Sequence, residues 1–394
     1  LRTGIDINAK SWVKLQGLNT TQCTSGVFIR GGGDDNVVDT CTASWCNNNG
    51  MFVTDNGTDR ASFLNCVSHD CLNGYALLFE VSVGSIIDGP LVSGGTFYNC
   101  PATFSGGVGF SRVSNGRVTG VECYGNWYGI KFVNKATNCR MDHNIVHDNS
   151  NFGLDLDVGG GAGDIITGCI VEYNNVYSNG SYGIAIEQDT GGATATTDNI
   201  TRYNIVHGNS VCLICNQSDL DHIYYNIFYS SGSFDMLGAT NQEIYNNVFY
   251  ATEITHWTGS NNCLIKNNIF YQTQGDYFIE QAVGVTNLVC DYNSYYKGTA
   301  PLGNFRLNGT GLTFSGWQTA GQDAHSTWGT DPKMVNPTGA DFTLRSDSPC
   351  INAGTPVSLT QDYAGNAISG NPDIGAYEFQ LPSPTPATNT YFWA

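Results

Sequence analysis

The chain has 394 residues and a formal net charge of −18, with 34 Asp plus Glu against 16 Lys plus Arg. This composition excludes a nucleic-acid partner, which needs clustered basic residues, and no run of about 18 apolar residues exists that could span a membrane. Glycine is abundant, at 48 residues, and charged residues make up only 13% of the chain. These values favour a repeat architecture, which grows by adding units rather than domains.

The N-terminal segment from Ile5, IDINAKSWVKLQGL, has the short β-forming runs found in the rest of the chain. We therefore expect the first coil of the repeat structure to begin there. The residues before it, Leu1 to Gly4, lack the charged-then-apolar pattern of a signal peptide. This predicts a mature chain or a piece of a longer one.

Cysteines are frequent, at 14 residues, and two interpretations stay open: disulfides formed outside the cell, or a stack of reduced thiols inside the fold. Cys41 and Cys46 are spaced like Cys66 and Cys71, with 25 residues between equivalent members. This spacing predicts that the two pairs lie on neighbouring repeats.

Three glycines each open a similar segment: Gly129 in WYGIKFV, Gly153 in NFGLDLDV and Gly183 in SYGIAIEQ. Because side chains alternate along a strand, one set points into the coil, namely Ile130, Phe132, Leu154, Leu156, Ile184 and Ile186. Two outward rows result, the first of Lys131, Asp155 and Ala185 and the second of Val133, Asp157 and Glu187. For each outward charge the alternative is a solvated side chain with no ligand.

Aromatic residues come directly before these glycines. Trp127 and Tyr128 precede Gly129, Phe152 precedes Gly153, and Tyr182 precedes Gly183. The pattern predicts a row of aromatic rings one coil apart, which either contacts a sugar or only packs a corner of the fold.

An asparagine followed by aliphatic or aromatic residues recurs at positions 144, 175, 204, 226, 247, 268 and 293, at intervals of 31, 29, 22, 21, 21 and 25 residues. A period near 21 with β-branched and aromatic triplets is typical of a parallel β-helix, with three short strands in each coil. Asparagine suits a corner because its amide can bond to the same residue one coil away and because it tolerates a left-handed backbone.

The two longest intervals between these asparagines contain extra glycine-rich residues, GGGAGD after Asp157 and DTGGATATTD after Gln188. Insertions in solenoids emerge at corners and often line a binding face. We therefore expect the functional groove to flank residues 127 to 198.

The segment 341–379, DFTLRSDSPCINAG…NPDIGAYEF, resembles the closing segment of many secreted bacterial right-handed parallel β-helix repeat proteins. With the asparagine-anchored coils, the resemblance covers most of the chain. It implies an all-β fold with Gly-rich corner loops, a single right-handed parallel β-helix over residues 1–380 in which residues 341–379 form a C-terminal cap. It also implies an extracellular location. The superfamily includes pectate lyases, polygalacturonases, alginate epimerases and xylan-binding modules of xylanases.

Residues 381–394 contain LPSPTPATNT, a Pro/Thr-rich stretch of the extended kind that tethers one module to another. We expect a covalently tethered catalytic domain in the full-length protein.

If the chain is an enzyme, the catalytic candidates are Lys131, Asp155, Asp157 and Glu187. A β-helix lyase would hold calcium on an Asp cluster and use Lys or Arg as the base. Calcium is the one candidate cofactor, and the sequence assigns no residue as its ligand. The lyase interpretation is weakened because the acidic turn expected before the second strand is absent and Lys131 lies one coil too early. A retaining glycosidase would instead use Asp157 and Glu187, since rungs are ~4.8 Å apart.

The leading prediction is a non-catalytic carbohydrate-binding module of a secreted bacterial enzyme that degrades plant cell walls. Its sugar-binding candidates are Trp127, Tyr128, Lys131, Asp155, Asp157, Tyr182, Glu187 and Asp189. An acidic protein repels polyuronates, so a neutral polysaccharide such as xylan is favoured. The alternatives are an active polysaccharide lyase or glycoside hydrolase acting on pectin-type or xylan-type polymers, and a structural surface adhesin.

Overall fold

Each coil contributes short strands that pair in parallel with those of the coils before and after it. The computed structural model describes residues 2–55, 57–159, 161, 163–188, 195–273, 277–298 and 304–381. These residues form a right-handed parallel β-helix, as the sequence predicts. The strands lie on three faces, named below the first, second and third sheets.

The first sheet has the longest strands and carries the candidate site. Its strands are Ile5–Asn8, Val27–Arg30, Met51–Thr54, Leu77–Glu80, Gly106–Ser114, Tyr128–Thr137, Phe152–Val158, Tyr182–Gln188, Val211–Asn216, Ser233–Leu237, Glu253–Thr258, Tyr277–Gln281 and Asn304–Leu307. Short strands Ile87–Asp88, Ile165–Thr167 and Ala195–Thr197 extend it, and Thr310–Leu312 pairs antiparallel at its end.

The second and third sheets are built from strands of about three residues, because a corner follows each one. The second contains Lys14–Gln16, Val37–Asp39, Arg117–Thr119, Arg140–Asp142, Ile170–Glu172, Ile200–Arg202, His222–Tyr224, Glu243–Tyr245, Leu264–Lys266 and Val289–Asp291. The third contains Asn19–Thr21, Thr42–Ser44, Glu122–Tyr124, Ile145–His147, Asn175–Tyr177, Ile205–His207, Ile227–Tyr229, Val248–Tyr250, Ile269–Gln272, Ser294–Lys297 and Thr327–Trp328. Two long strands, Ser62–His69 and Leu91–Tyr98, run through both.

Buried asparagines stack along one corner and hold successive coils together. The Nδ2 group of Asn204 donates to Asn226 Oδ1 at 3.0 Å and to the Val171 carbonyl at 2.9 Å, so one amide bridges the coils on either side. The stack contains Asn144, Asn174, Asn204, Asn226, Asn247, Asn268 and Asn293. The prediction is wrong by one residue at its second position, where Asn174 takes the place expected for Asn175, which begins the next strand.

All 14 cysteines are free thiols, and 13 of them are buried. The register that pairs Thr42 with Val67 sets Cys41 beside Cys66 and Cys46 beside Cys71, so the predicted neighbouring repeats are confirmed. The backbone N–H of Cys71 donates to Cys100 Sγ at 3.4 Å, which extends the stack by a coil.

The C-terminal part has two roles in packing. The helix Phe314–Thr319 lies at the last coil, where the buried Trp317 ring stacks on Phe305 at a centroid distance of 5.0 Å. Beyond it, the strands Met334–Asn336 and Asp341–Leu344, joined by the 3-10 turn Pro337–Gly339, pair antiparallel. The segment 341–379 packs against the side of the coils, where its buried residues join those of the second and third sheets in a separate apolar cluster.

The described residues contain no helix that is long and apolar enough to cross a membrane.

Candidate functional site

The predicted register of the first sheet is confirmed. Lys131 lies opposite Asp155, and Asp157 lies opposite Glu187 on the following coil. The inward set of Ile130, Phe132, Leu154, Leu156, Ile184 and Ile186 is buried in the core. Four of the predicted polar residues therefore meet on the outer side of the sheet, on three consecutive coils.

These outward side chains are not solvated, contrary to the simpler alternative. The exposed fraction is 6% for Lys131, 0% for Asp155, 4% for Asp157 and 7% for Glu187. One cause is the Tyr128 ring, whose centroid lies 4.2 Å from Lys131 Nζ. A buried charge is tolerated only when it is paired, so the pairing of this cluster decides its chemistry.

Lys131 is the centre of the charge cluster. Its Nζ lies 2.8 Å from Asp155 Oδ2 and 2.7 Å from Asp157 Oδ2. Burial lowers the pKa of Lys131, but attraction to Asp155 and Asp157 outweighs burial and raises that pKa above its ordinary value. Lys131 is therefore a fixed ammonium group rather than a proton acceptor at neutral pH.

Three carboxylates border this ammonium group. One oxygen each from Asp155, Asp157 and Glu187 lie within 4.8 Å of one another. Calcium takes six to eight oxygen ligands at about 2.3–2.6 Å. The three carboxylates could supply some of these ligands, and a calcium ion bound there would compete with the ammonium group of Lys131 for Asp155 and Asp157.

The predicted aromatic row forms beside this cluster. Phe152 lies 5.4 Å from Tyr128 and 4.8 Å from Tyr182 between ring centroids, with the planes inclined at 68° and 63°. Tyr128 is buried, whereas Trp127, Phe152 and Tyr182 are partly exposed. The rings support one another edge to face and still offer part of their surface to a ligand. Asp189, the remaining candidate, lies outside the described residues.

Sequence reasoning missed Tyr75, which belongs to an earlier coil. A Cβ atom added at Gly106 or Gly109 would lie 2.6 or 2.7 Å from Tyr75 Cε1, so the ring lies directly over these two glycines. Gly106 pairs with Tyr128 and Gly109 with Lys131, which brings Tyr75 beside the cluster. The glycine-rich run SGGVGF was the available signal, since a missing side chain in a strand often marks a close approach.

The outward row of Lys131 also continues toward the N-terminus. In register it contains Phe28, Phe52, Leu78 and Gly109. The Phe28 and Phe52 rings stack in parallel at 5.3 Å. The alternation in VFIR, MFVT and LLFE carried this information, because their second residues point outward.

Comparison with known proteins agrees with the fold. Residues 3–200 match the family model described as "Right handed beta helix region". The chain belongs to this right-handed β-helix family. No curated protein matches the sequence of this β-helix.

Two solved structures are similar to this β-helix at low sequence identity. The A-module of the Azotobacter vinelandii mannuronan C-5 epimerase AlgE6 has 10% identity and a TM-score of 0.59, over 82% of this chain and 92% of that one. Pectate lyase Pel9A has 15% identity and a TM-score of 0.50, over 89% of this chain and 88% of that one. At these identities the similarity establishes the fold alone.

Proposed function

We propose that this β-helix binds a polysaccharide along the outer side of its first sheet, as a carbohydrate-binding module. The observation that carries the proposal is the row of Tyr128, Phe152 and Tyr182, whose partly exposed members border a polar cluster. Sugars present apolar C–H faces, and a pocket with aromatic walls and a few fixed polar groups suits them.

The state of the charge cluster favours binding over lyase chemistry. A lyase needs a base that accepts the proton at C5 of a uronate. Lys131 is held as an ammonium ion by Asp155 and Asp157, and Asp155 is fully buried. The cluster therefore acts as a rigid support for the aromatic row.

The preferred ligand is a neutral plant polysaccharide, for which xylan is the proposed example. The net charge is −18, and a polyuronate approaching such a protein is repelled. The mannuronan epimerase module and the pectate lyase are both named for action on a polysaccharide, and the shared fold supports a polymeric ligand by analogy.

A glycoside hydrolase is the second candidate, and a specific distance favours it. One carboxylate oxygen of Asp157 lies within 4.8 Å of one of Glu187. This distance is close to the ~5–5.5 Å separation of the two catalytic carboxylates in a retaining glycosidase. Asp157 accepts a hydrogen bond from Lys131 Nζ at 2.7 Å, which holds its carboxylate in place for the role of nucleophile. Glu187 would then serve as the acid.

We also propose an extracellular location and a covalently tethered catalytic domain. The support is the Pro/Thr-rich sequence of residues 381–394, which is typical of linkers between modules.

Affinity electrophoresis tests the proposal. The protein is run in gels that contain xylan, glucan or pectin, with and without calcium, while released reducing ends and unsaturated products are assayed in parallel. We expect retardation by xylan without products, and weaker retardation for Trp127→Ala, Phe152→Ala and Tyr182→Ala. New reducing ends that disappear in Asp157→Asn and Glu187→Gln would establish the hydrolase instead, and unsaturated products would establish a lyase.

A further inference from the structure

A cleft of about 340 Å³ opens on the first sheet next to the charge cluster, on its N-terminal side. Its size lies within the range of ~300–1,000 Å³ typical of small-molecule sites. The residues that define its character are Asn48, Phe52, Asn73, Tyr75, Glu80 and Phe104. None of them was identified from the sequence as a ligand-binding residue.

The apolar part of the cleft includes the Tyr75 ring, which packs over two glycines of the strand Gly106–Ser114. Tyr75 lies over Gly106 and Gly109, where any larger residue would collide with the ring. Its backbone N–H donates to Asn49 Oδ1 at 2.8 Å, which fixes the turn that carries it. The Tyr75 ring is therefore held in a defined position at the cleft.

Phe104 projects at the rim of the cleft. Its side chain is 72% exposed, and its backbone has φ of 65°, in the left-handed region that bulky residues rarely adopt. The hydroxyl of the next residue, Ser105, donates to the carbonyls of Cys100 and Ala102 and holds this turn. An exposed aromatic ring at the rim of a cleft that also contains Tyr75 points to a contact with a ligand.

The polar part of the cleft consists of amides and one carboxylate. The Asn73 Nδ2 group donates to the Asn47 carbonyl at 2.9 Å, which orients the amide and leaves its oxygen to accept a hydrogen bond. Glu80 is exposed at the edge, between this cleft and an adjoining one of about 610 Å³. Arg112 lines the larger, adjoining cleft, but its side chain is buried and its Nη2 atom lies 3.1 Å from Asp164 Oδ2.

We propose that this cleft is a subsite for an uncharged sugar residue of the polysaccharide, with Phe104 and Tyr75 contacting its apolar face. The inference rests on the proposed binding function and adds a position and a selectivity to it. Among the described residues that line the cleft, Glu80 is the one charged side chain. Its carboxylate can accept hydrogen bonds from sugar hydroxyls and repels a uronate at the same position.

Calorimetric titration with xylohexaose and hexagalacturonic acid, at low ionic strength, tests the subsite. We expect Phe104→Ala to weaken xylohexaose binding by at least about tenfold. The matched control is Trp45→Ala, because Trp45 is also exposed, at 55%, and left-handed, with φ of 53°, but does not line the cleft. Glu80→Gln should narrow the preference for xylohexaose over hexagalacturonic acid by improving binding of the acid.

The outcomes separate the two proposals. Loss of xylohexaose affinity in Phe104→Ala but not in Trp45→Ala supports the subsite. Equal affinity of the native protein and both variants for xylohexaose overturns the subsite but does not contradict the proposed polysaccharide binding. Native binding of hexagalacturonic acid as tight as that of xylohexaose overturns the selectivity. If the native protein binds neither oligosaccharide and is retarded by no polysaccharide gel, both proposals fail.

Discussion

Replacing Lys131 with methionine removes the positive charge from the buried cluster while keeping a side chain of similar length. Two ion pairs disappear, at 2.8 and 2.7 Å, and the partners Asp155 and Asp157 are only 0% and 4% exposed. Breaking a buried ion pair by removing one partner destabilises a protein by about 3–5 kcal/mol, because the other charge is left uncompensated. We expect a loss of that size in the free energy of unfolding.

Urea denaturation followed by circular dichroism measures this loss. The slope in urea exceeds the value of about 1–3 kcal/mol per molar of small proteins in a chain of this length, so the loss is calculated from the measured slope and midpoint of each protein. Lys135→Met is the matched control, because Lys135 is on the same strand and only partly buried, and it should change stability by less than about 0.5 kcal/mol.

A triple variant separates loss of charge pairing from loss of packing. Lys131→Met combined with Asp155→Asn and Asp157→Asn removes all three charges, so it should recover part of the stability lost in Lys131→Met alone. A midpoint for Lys131→Met within the error of the native value would refute the reasoning, since it would mean that the carboxylates do not depend on the ammonium group.

Three further predictions concern the coils and the C-terminal segment. Gly153→Ala should destabilise the fold by about 1–3 kcal/mol in urea melts, because its Cβ would lie 2.6 Å from the Gly183 carbonyl oxygen; an unchanged midpoint would contradict the register. Asn204→Ala should cost about 2 kcal/mol or more, because it leaves buried partners without hydrogen bonds; near-native stability would count against the asparagine stack. Burial and repulsion from Asp373 raise the pKa of Glu378 from 4.5 to about 7. The folded protein therefore binds this proton more tightly than the unfolded chain, and the free energy of unfolding should fall as the pH rises from 4.5 to 7. Glu378→Gln should weaken that fall, and an identical pH profile would be the contrary result.

The sequence was informative wherever repetition and alternation alone determine position. Glycines opening similar segments placed Lys131 opposite Asp155 and Asp157 opposite Glu187, because parallel pairing in register leaves one solution. The asparagine period failed at one place, where the two adjacent asparagines Asn174 and Asn175 made the choice ambiguous.

Alternation does not show what covers an outward side chain. Tyr75 reaches the cluster from a turn of an earlier coil, and the burial of Lys131 depends on contacts between coils that no local pattern encodes. The segment 341–379 packs against the side of the coils through apolar residues, and no repeat or alternation within it predicts that position. The polar residues of the outward rows were therefore correctly located, but alternation alone did not predict that they are buried.

The most direct test of the central claim is the mobility of the native protein in a xylan-containing gel compared with that of Phe152→Ala and Tyr182→Ala. Binding along the first sheet predicts that xylan retards the native protein and that both variants migrate faster, toward their mobility without polysaccharide. Equal retardation of all three proteins would contradict the location of the site, and no retardation of the native protein by xylan, glucan or pectin would contradict the function.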